Sequence, residues 1–133
     1  MATVSALDHI VLVARDVEAT LAWYQRHLGF EAVRLGAWRA GEVPFPSLRV
    51  TPSTIIDVVA GEPGGPTGLA GPGHLAHVCF VVDDEGLDAA RADPDLVIED
   101  EGTRFGARGN ARSVYVRDPD GLTVELRAYP PGA

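Results

Sequence analysis

The chain has 133 residues, enough for one domain with a sizeable core, and its 46% hydrophobic and 23% charged residues are ordinary for a globular protein. Its net charge of −8 argues against nucleic acid or anionic membrane as partners, since both need basic surface, so any anionic substrate must be met by local arginines. One cysteine, Cys79, leaves no intrachain disulfide and suits a reducing compartment.

Residues Met1 to Asp8 lack a basic segment followed by an apolar run, so no secretory signal is read there. The longest apolar stretches are of strand length, too short to span a bilayer. A cytoplasmic location is the expectation.

The first periodic segment, Leu7 to Val13, is rich in Val, Ile and Leu and carries His9; it predicts a buried strand. Asp16 is a candidate N-cap for a helix in which Leu21, Tyr24 and Leu28 recur at helical spacing, with Trp23 and Tyr24 packing on the back of a sheet. Gly29 reads as its C-cap, with Phe30 docking behind it. Short strands are expected at Ala32 to Leu35, around Trp38, at Ser47 to Val50 and at Thr54 to Val59, the last two joined by a Pro52-Ser53 turn. Between residues 61 and 73, six glycines and three prolines predict a linker.

The second half repeats the first. Leu75 to Asp84 matches Leu7 to Asp16, a shorter helix follows around Gly86 to Arg91, and Pro94 ends it. Leu96 to Glu99, Arg104-Phe105 and Ser113 to Val116 are expected as strands. Asp118-Pro119-Asp120-Gly121 is a turn, and Leu122 to Arg127 closes the module. The repeat has a period near 68 residues. It divides the chain into one module at about 1–60 and another at about 74–133, each with βαβββ order.

His9 and Asp57 lie 48 residues apart, as do His77 and Glu125. Each pair therefore holds equivalent places, an imidazole on the first strand and a carboxylate on the last. Strand alternation sets Val124 and Leu126 on one face and Thr123, Glu125 and Arg127 on the other. A single histidine in an apolar strand is ordinarily a hydrogen-bonded core residue. Two carboxylates buried among apolar strands need a cation, and a shared cleft holding both pairs would suit Zn, Ni, Fe, Mn or Co. The expected metal ligands are His9, His77, Glu125 and Asp57, with Asp57 alternatively holding a water or acting as a base.

These segments together resemble the vicinal oxygen chelate superfamily, which comprises glyoxalases, bleomycin resistance proteins and extradiol dioxygenases. The likeness rests on Leu7 to Val13 with Asp16, on Trp23-Tyr24 through Gly29-Phe30, on 73–80, and on Ser113 to Leu126 with its Asp-Pro-Asp-Gly turn ahead of Glu125. Gly106-Ala107-Arg108-Gly109 resembles a virulence-associated, glyoxalase-like subgroup. The resemblance implies an α+β fold of paired βαβββ modules forming a cupped mixed sheet around a divalent metal, and a homodimer. It implies His9, His77 and Glu125 as a triad, with Glu125 or Asp57 moving protons. Asp57 departs from the Glu or Gln usual at that place in glyoxalase I. Lyase or isomerase chemistry on a small oxygen-chelating substrate is the leading expectation. Extradiol dioxygenase chemistry and metal-free sequestration of an antibiotic or other small ligand are the alternatives.

Arg108 is a candidate clamp for an anionic group, within a set with Arg104 and Arg112 whose preferred reading is a solvated basic loop. Tyr115, Phe105 and Trp38 are candidate cleft walls, with core packing the equal alternative. Cys79 reads as a small buried residue, His27 as structural, and His74 as loop or surface.

Overall fold

The computed structural model describes residues 2–3, 5–62, 75 and 77–132. His74 and most of the glycine-proline linker therefore lie outside the described residues. The chain divides into two compact units, Met1–Ala70 and Gly71–Ala133.

In the first unit, strand β1 (His9–Ala14) leads to helix α1 (Val17–Leu28), strand β2 (Glu31–Val33) and a short helix α2 (Leu35–Arg39). Strands β3 (Ser47–Thr51) and β4 (Thr54–Ala60) follow. The sheet order is β1-β4-β3-β2, with β1 parallel to β4 and the other pairs antiparallel. The parallel pair joins the first and last strands, which brings His9 and Asp57 onto neighbouring strands. Alternation then puts Ile56 and Val58 on the opposite face from Asp57, where they are buried together with Leu48, Leu21 and Tyr24.

Helix α1 forms where its signals say. Asp16 accepts from the Ala19 amide at 3.0 Å, and Glu18 lies in the first turn. Gly29 closes the helix at φ 71°, its N–H donating to Gln25 O, and Phe30 stacks on Tyr24 with ring centroids 6.2 Å apart.

The second unit repeats the strand order without a counterpart of α2 among the described residues: strand β5 (His77–Val81), helix α3 (Asp84–Ala92), and strands β6 (Asp100–Gly106), β7 (Gly109–Arg117) and β8 (Thr123–Ala128). Its sheet order is β5-β8-β7-β6, again with first and last strands parallel. Helix α3 starts earlier than the periodicity predicts, because the Asp83 carboxylate caps the Gly86 amide at 2.7 Å and Asp84 and Glu85 suit the helix N-terminus. Ahead of β8, the carboxylate of Asp118 accepts from the amides of Asp120 and Leu122 at 2.9 and 3.0 Å. Gly121, at φ 88°, returns its own N–H to Asp118 O at 3.0 Å. This turn fixes the point from which β8 carries Glu125.

Four local expectations are corrected. Trp38 is on helix α2, not a strand: Arg34 takes the left-handed conformation (φ 62°) that opens the helix, and the Trp38 amide donates to Arg34 O at 2.9 Å. Leu96 to Glu99 is not a strand; the ladder starts at Asp100, although the Glu99 amide already donates to Tyr115 O at 2.9 Å. Strand β1 is buried only from Leu12 onward, since it is a sheet edge and Val11 is exposed. Cys79 is exposed, on the edge strand β5.

Candidate functional site

Each unit gathers one imidazole and one carboxylate. In the first, His9 Nε2 stands 3.8 Å from Asp57 Oδ2. The other ring nitrogen, Nδ1, lies 2.7 Å from Asp8 Oδ2. That hydrogen bond favours the tautomer with the proton on Nδ1 and a free lone pair on Nε2, as a carboxylate behind a metal-binding imidazole does. It is also the main reason the His9 pKa is raised above 6.5.

Asp57 is buried, and its charge is met by two groups that sequence reasoning missed. Ser47, its direct cross-strand partner, donates to Asp57 Oδ1 at 2.6 Å. Arg34 donates to Ser47 Oγ at 2.6 Å, and its guanidinium lies 3.8 Å from the same carboxylate oxygen. The serine thus passes the cation's polarisation to the carboxylate, donating its one proton to Asp57 and accepting from Arg34. The left-handed backbone at Arg34 was the missing signal, and no spacing rule points to it.

In the second unit His77 Nε2 lies 3.2 Å from Glu125 Oε1. Glu125 and Arg127 are 4% and 5% exposed, a buried ion pair with Arg127 NH1 3.2 Å from Glu125 Oε2. Arg127 also donates to three carbonyls of the β6–β7 hairpin, those of Arg104, Phe105 and Gly109, at 2.7, 3.4 and 3.2 Å. The cation that a buried Glu125 demands is therefore supplied by a neighbour two residues away on the same strand. Alternation had put Arg127 on this face without revealing its burial. Two buried polar atoms have no hydrogen-bond partner among the described residues, Arg127 Nε and Ser113 Oγ, and their residues face each other across the β7–β8 ladder.

Tyr115 joins this group. It is the cross-strand partner of Glu125, and its ring meets that of His77 edge-on at 6.0 Å. Burial, then the charge of Glu125, raises its phenol pKa above the ordinary value. Cys79 pairs with Glu125 on the other side; although the residue is exposed, its thiol is partly desolvated, and this together with the Glu125 charge pushes it up to about 11.

The three loop arginines do not form one cluster. Arg104 lies 5.8 Å from the Tyr115 ring centroid and pairs with Asp100. Arg108 stacks on Tyr129 at 4.3 Å and donates its amide to the Tyr129 hydroxyl. Arg112 turns to Asp88 on helix α3. Phe105 is 84% exposed and, by alternation, lies on the face opposite Tyr115. Trp38 is half-buried on α2.

The donor chemistry fits a divalent ion. Two ligands at ordinary zinc distances on one ion stand roughly 3.0–3.4 Å apart, and His77 Nε2 and Glu125 Oε1 meet that span without moving. His9 and Asp57, at 3.8 Å, need a small side-chain rotation to reach it. Within each unit the converging donors number two, and among the described residues no group of three or more His, Cys, Asp or Glu is gathered.

A family profile, that of the Glyoxalase/Bleomycin resistance protein/Dioxygenase superfamily, matches residues 6–126. The chain belongs to this superfamily. The chain is 32% identical over 130 residues to the glyoxalase domain-containing protein RDO1 of Mycosarcoma maydis, covering 96% of the chain and 70% of that protein. It is 29% identical over 130 residues to virulence protein STM3117 of Salmonella typhimurium, covering 95% of the chain and 85% of the relative. The crystal structure of STM3117 superposes with a TM-score of 0.71 at 25% identity, covering 97% of this chain and all of that one. A fosfomycin resistance protein of Listeria monocytogenes, complexed with Mn(II) and 1S,2S-dihydroxypropylphosphonic acid, shares the fold at TM-score 0.66 and 22% identity, covering 97% and 94% of the two chains. The superfamily resemblance and the doubled α+β architecture read from the sequence both hold.

Proposed function

We propose that this superfamily member is a divalent-metal-dependent enzyme of glyoxalase type, a lyase or isomerase acting on a small substrate through two neighbouring oxygens. Its ligands would be drawn from His9, Asp57, His77 and Glu125. The observation that carries the reading is the 3.2 Å span between His77 Nε2 and Glu125 Oε1, repeated in kind by His9 and Asp57 at the same 48-residue separation. The Mn(II) bound by the Listeria protein of the same fold supports it. When bound, such an ion would act as a Lewis acid toward a substrate oxyanion.

The chain's own residues supply the rest. Asp8 holds His9 with Nε2 free. Ser47 and Arg34 keep Asp57 buried as an acceptor. Tyr115 places a hydroxyl-bearing ring against His77 on the face of Glu125, where a substrate oxygen would lie. Glu125 or Asp57 would take a proton from a bound carbon acid once its own hold on the ion loosens. A homodimer, as implied by the family, belongs to the same reading.

A second reading, a metal-free small-ligand binder, is favoured by one observation: Arg127 already neutralises Glu125. Metal analysis of protein purified without added metal separates the two. The enzyme reading expects a stoichiometric divalent ion that is lost in His77→Ala, with isomerisation of a methylglyoxal–thiol hemithioacetal. Metal-free protein that neither takes up Zn, Ni, Mn, Fe or Co nor turns over that substrate leaves the binder.

A further inference from the structure

Arg127 looks at first like a structural ion-pair partner, but its contacts are one-sided in a way that bears on the candidate ligands. Its NH1 holds Glu125 Oε2, and His77 Nε2 faces the other oxygen, Oε1. The same NH1 also donates to Phe105 O, and NH2 donates to the carbonyls of Arg104 and Gly109, on the two sides of the β6–β7 turn. Its Cζ lies 4.9 Å from the Tyr129 ring centroid, the ring that also carries Arg108. Room for this arrangement comes from Gly106: a Cβ built there would stand only 2.4–2.6 Å from the Arg127 guanidinium atoms, too close to coexist with them in place.

We propose that Arg127 is a positioning residue for Glu125, clamping Oε2 to the β6–β7 hairpin so that Oε1 alone is presented to His77 and to an ion. The planar fork is what makes this possible. Its two terminal nitrogens hold a carboxylate oxygen and three backbone carbonyls at once, which a lysine ammonium cannot do in fixed geometry. The clamp also ties the hairpin that bears Arg104 and Arg108 to the carboxylate, so a shift of the hairpin must pull on Glu125. The effect on ion binding rests on the metal reading; the orientation of Glu125 rests on the hydrogen bonds alone.

Two charge-conserving variants test it. Gly106→Ala drives the guanidinium out of its seat without altering Glu125, Arg127 or a positive-φ position. Arg127→Lys keeps the charge and removes the fork. Co(II) is titrated into metal-free full-length protein, with the visible spectrum followed, and the Glu125 side-chain carboxyl 13C resonance is read before metal is added. Both variants are expected to keep the far-UV circular dichroism of the parent, to move the Glu125 resonance, and to weaken Co(II) binding by about tenfold or more with an altered cobalt spectrum, the scale of a lost outer-shell partner. Parental Co(II) affinity and spectrum in both folded variants overturns the proposal. If the parent itself binds no Co(II), the metal reading has failed, and the carboxyl resonance decides alone: movement in the variants supports the clamp, and an unmoved resonance overturns it.

Discussion

Tyr115 stands in the second unit where Ser47 stands in the first: each is the direct cross-strand partner of its unit's buried carboxylate, Glu125 and Asp57 respectively. The duplicated half-site is thus not a pair but a trio, with an imidazole on the first strand, a hydroxyl on the third and a carboxylate on the last. The two trios differ in how the carboxylate is stabilised, directly by Arg127 in one and through Ser47 by Arg34 in the other.

Ser47→Ala removes the donor to Asp57 Oδ1 and leaves a buried carboxylate oxygen unsatisfied. A loss of about 1–3 kcal/mol is expected, read as a lower urea midpoint with an unchanged slope. Ser47→Thr, which restores the hydroxyl, should recover part of it. A midpoint unchanged in Ser47→Ala would show that Arg34 alone satisfies Asp57.

Arg127→Met leaves Glu125 buried without its cation. The expected cost is about 3–5 kcal/mol, a large share of the roughly 5–15 kcal/mol that holds an ordinary domain folded, and it is read as a lower urea midpoint. The double variant with Glu125→Gln should be more stable than Arg127→Met alone, because it removes the stranded charge. Equal stabilities for the single and double variants would contradict the ion-pair account.

Asp118→Ala removes the acceptor for two backbone amides in the turn before β8. Each lost bond is worth about 0.5–1.5 kcal/mol, so the variant should lose roughly twice that by chemical denaturation. Both bonds fall on Oδ1, which an amide carbonyl also supplies, so Asp118→Asn should stay close to the parent. Equal midpoints for all three proteins would show that Gly121 and Pro119 shape the turn unaided.

Glu18 and Arg39 join α1 to α2 through two hydrogen bonds, at 2.8 and 2.7 Å. Arg39 is the main cause of the lowered Glu18 pKa, below 4.5. A depressed carboxylate contributes stability that is present above its unfolded pKa and lost as pH falls through the folded one. Arg39→Ala should return the Glu18 carboxyl titration toward 4.5 by NMR and remove this acid-side component of the stability profile. An unshifted Glu18 titration in the variant would sink the pairing.

Leu21 is 1% exposed on α1, against the sheet face that bears Ile56 and Val58. Leu21→Ala should cost about 2–5 kcal/mol through lost burial and an unfilled cavity, measured as a drop in thermal midpoint. A change under 1 kcal/mol would mean that the helix is less firmly seated than its burial indicates.

Much of this fold is legible in local chemistry. Asp16 and Gly29 bracket α1 because a side-chain acceptor and a left-handed glycine are local requirements, met or not met by one residue each. His9 with Asp57 and His77 with Glu125 were recognisable because a duplicated spacing on strands of fixed alternation leaves few places for the four groups to point.

What the sequence hides is set by tertiary neighbours. A strand arginine reads as a solvent-facing edge residue, and nothing near Arg127 in the chain discloses that three carbonyls from another hairpin and the missing side chain of Gly106 will bury it. Trp38 sits in a run with too few residues to show a period, and its helix depends on the backbone of Arg34 and on the grip of Arg39 on Glu18. Cys79 looks like core because its neighbours are apolar, yet it occupies a sheet edge whose position only the strand order reveals.

The parallel pairing of first with last strand has a kinetic consequence. Each imidazole meets its carboxylate only by closing a loop that contains the helix and both intervening strands of its unit. Such long-range closure is entropically late. Imidazole and carboxylate therefore stay apart in any intermediate that has not yet paired β1 with β4, or β5 with β8.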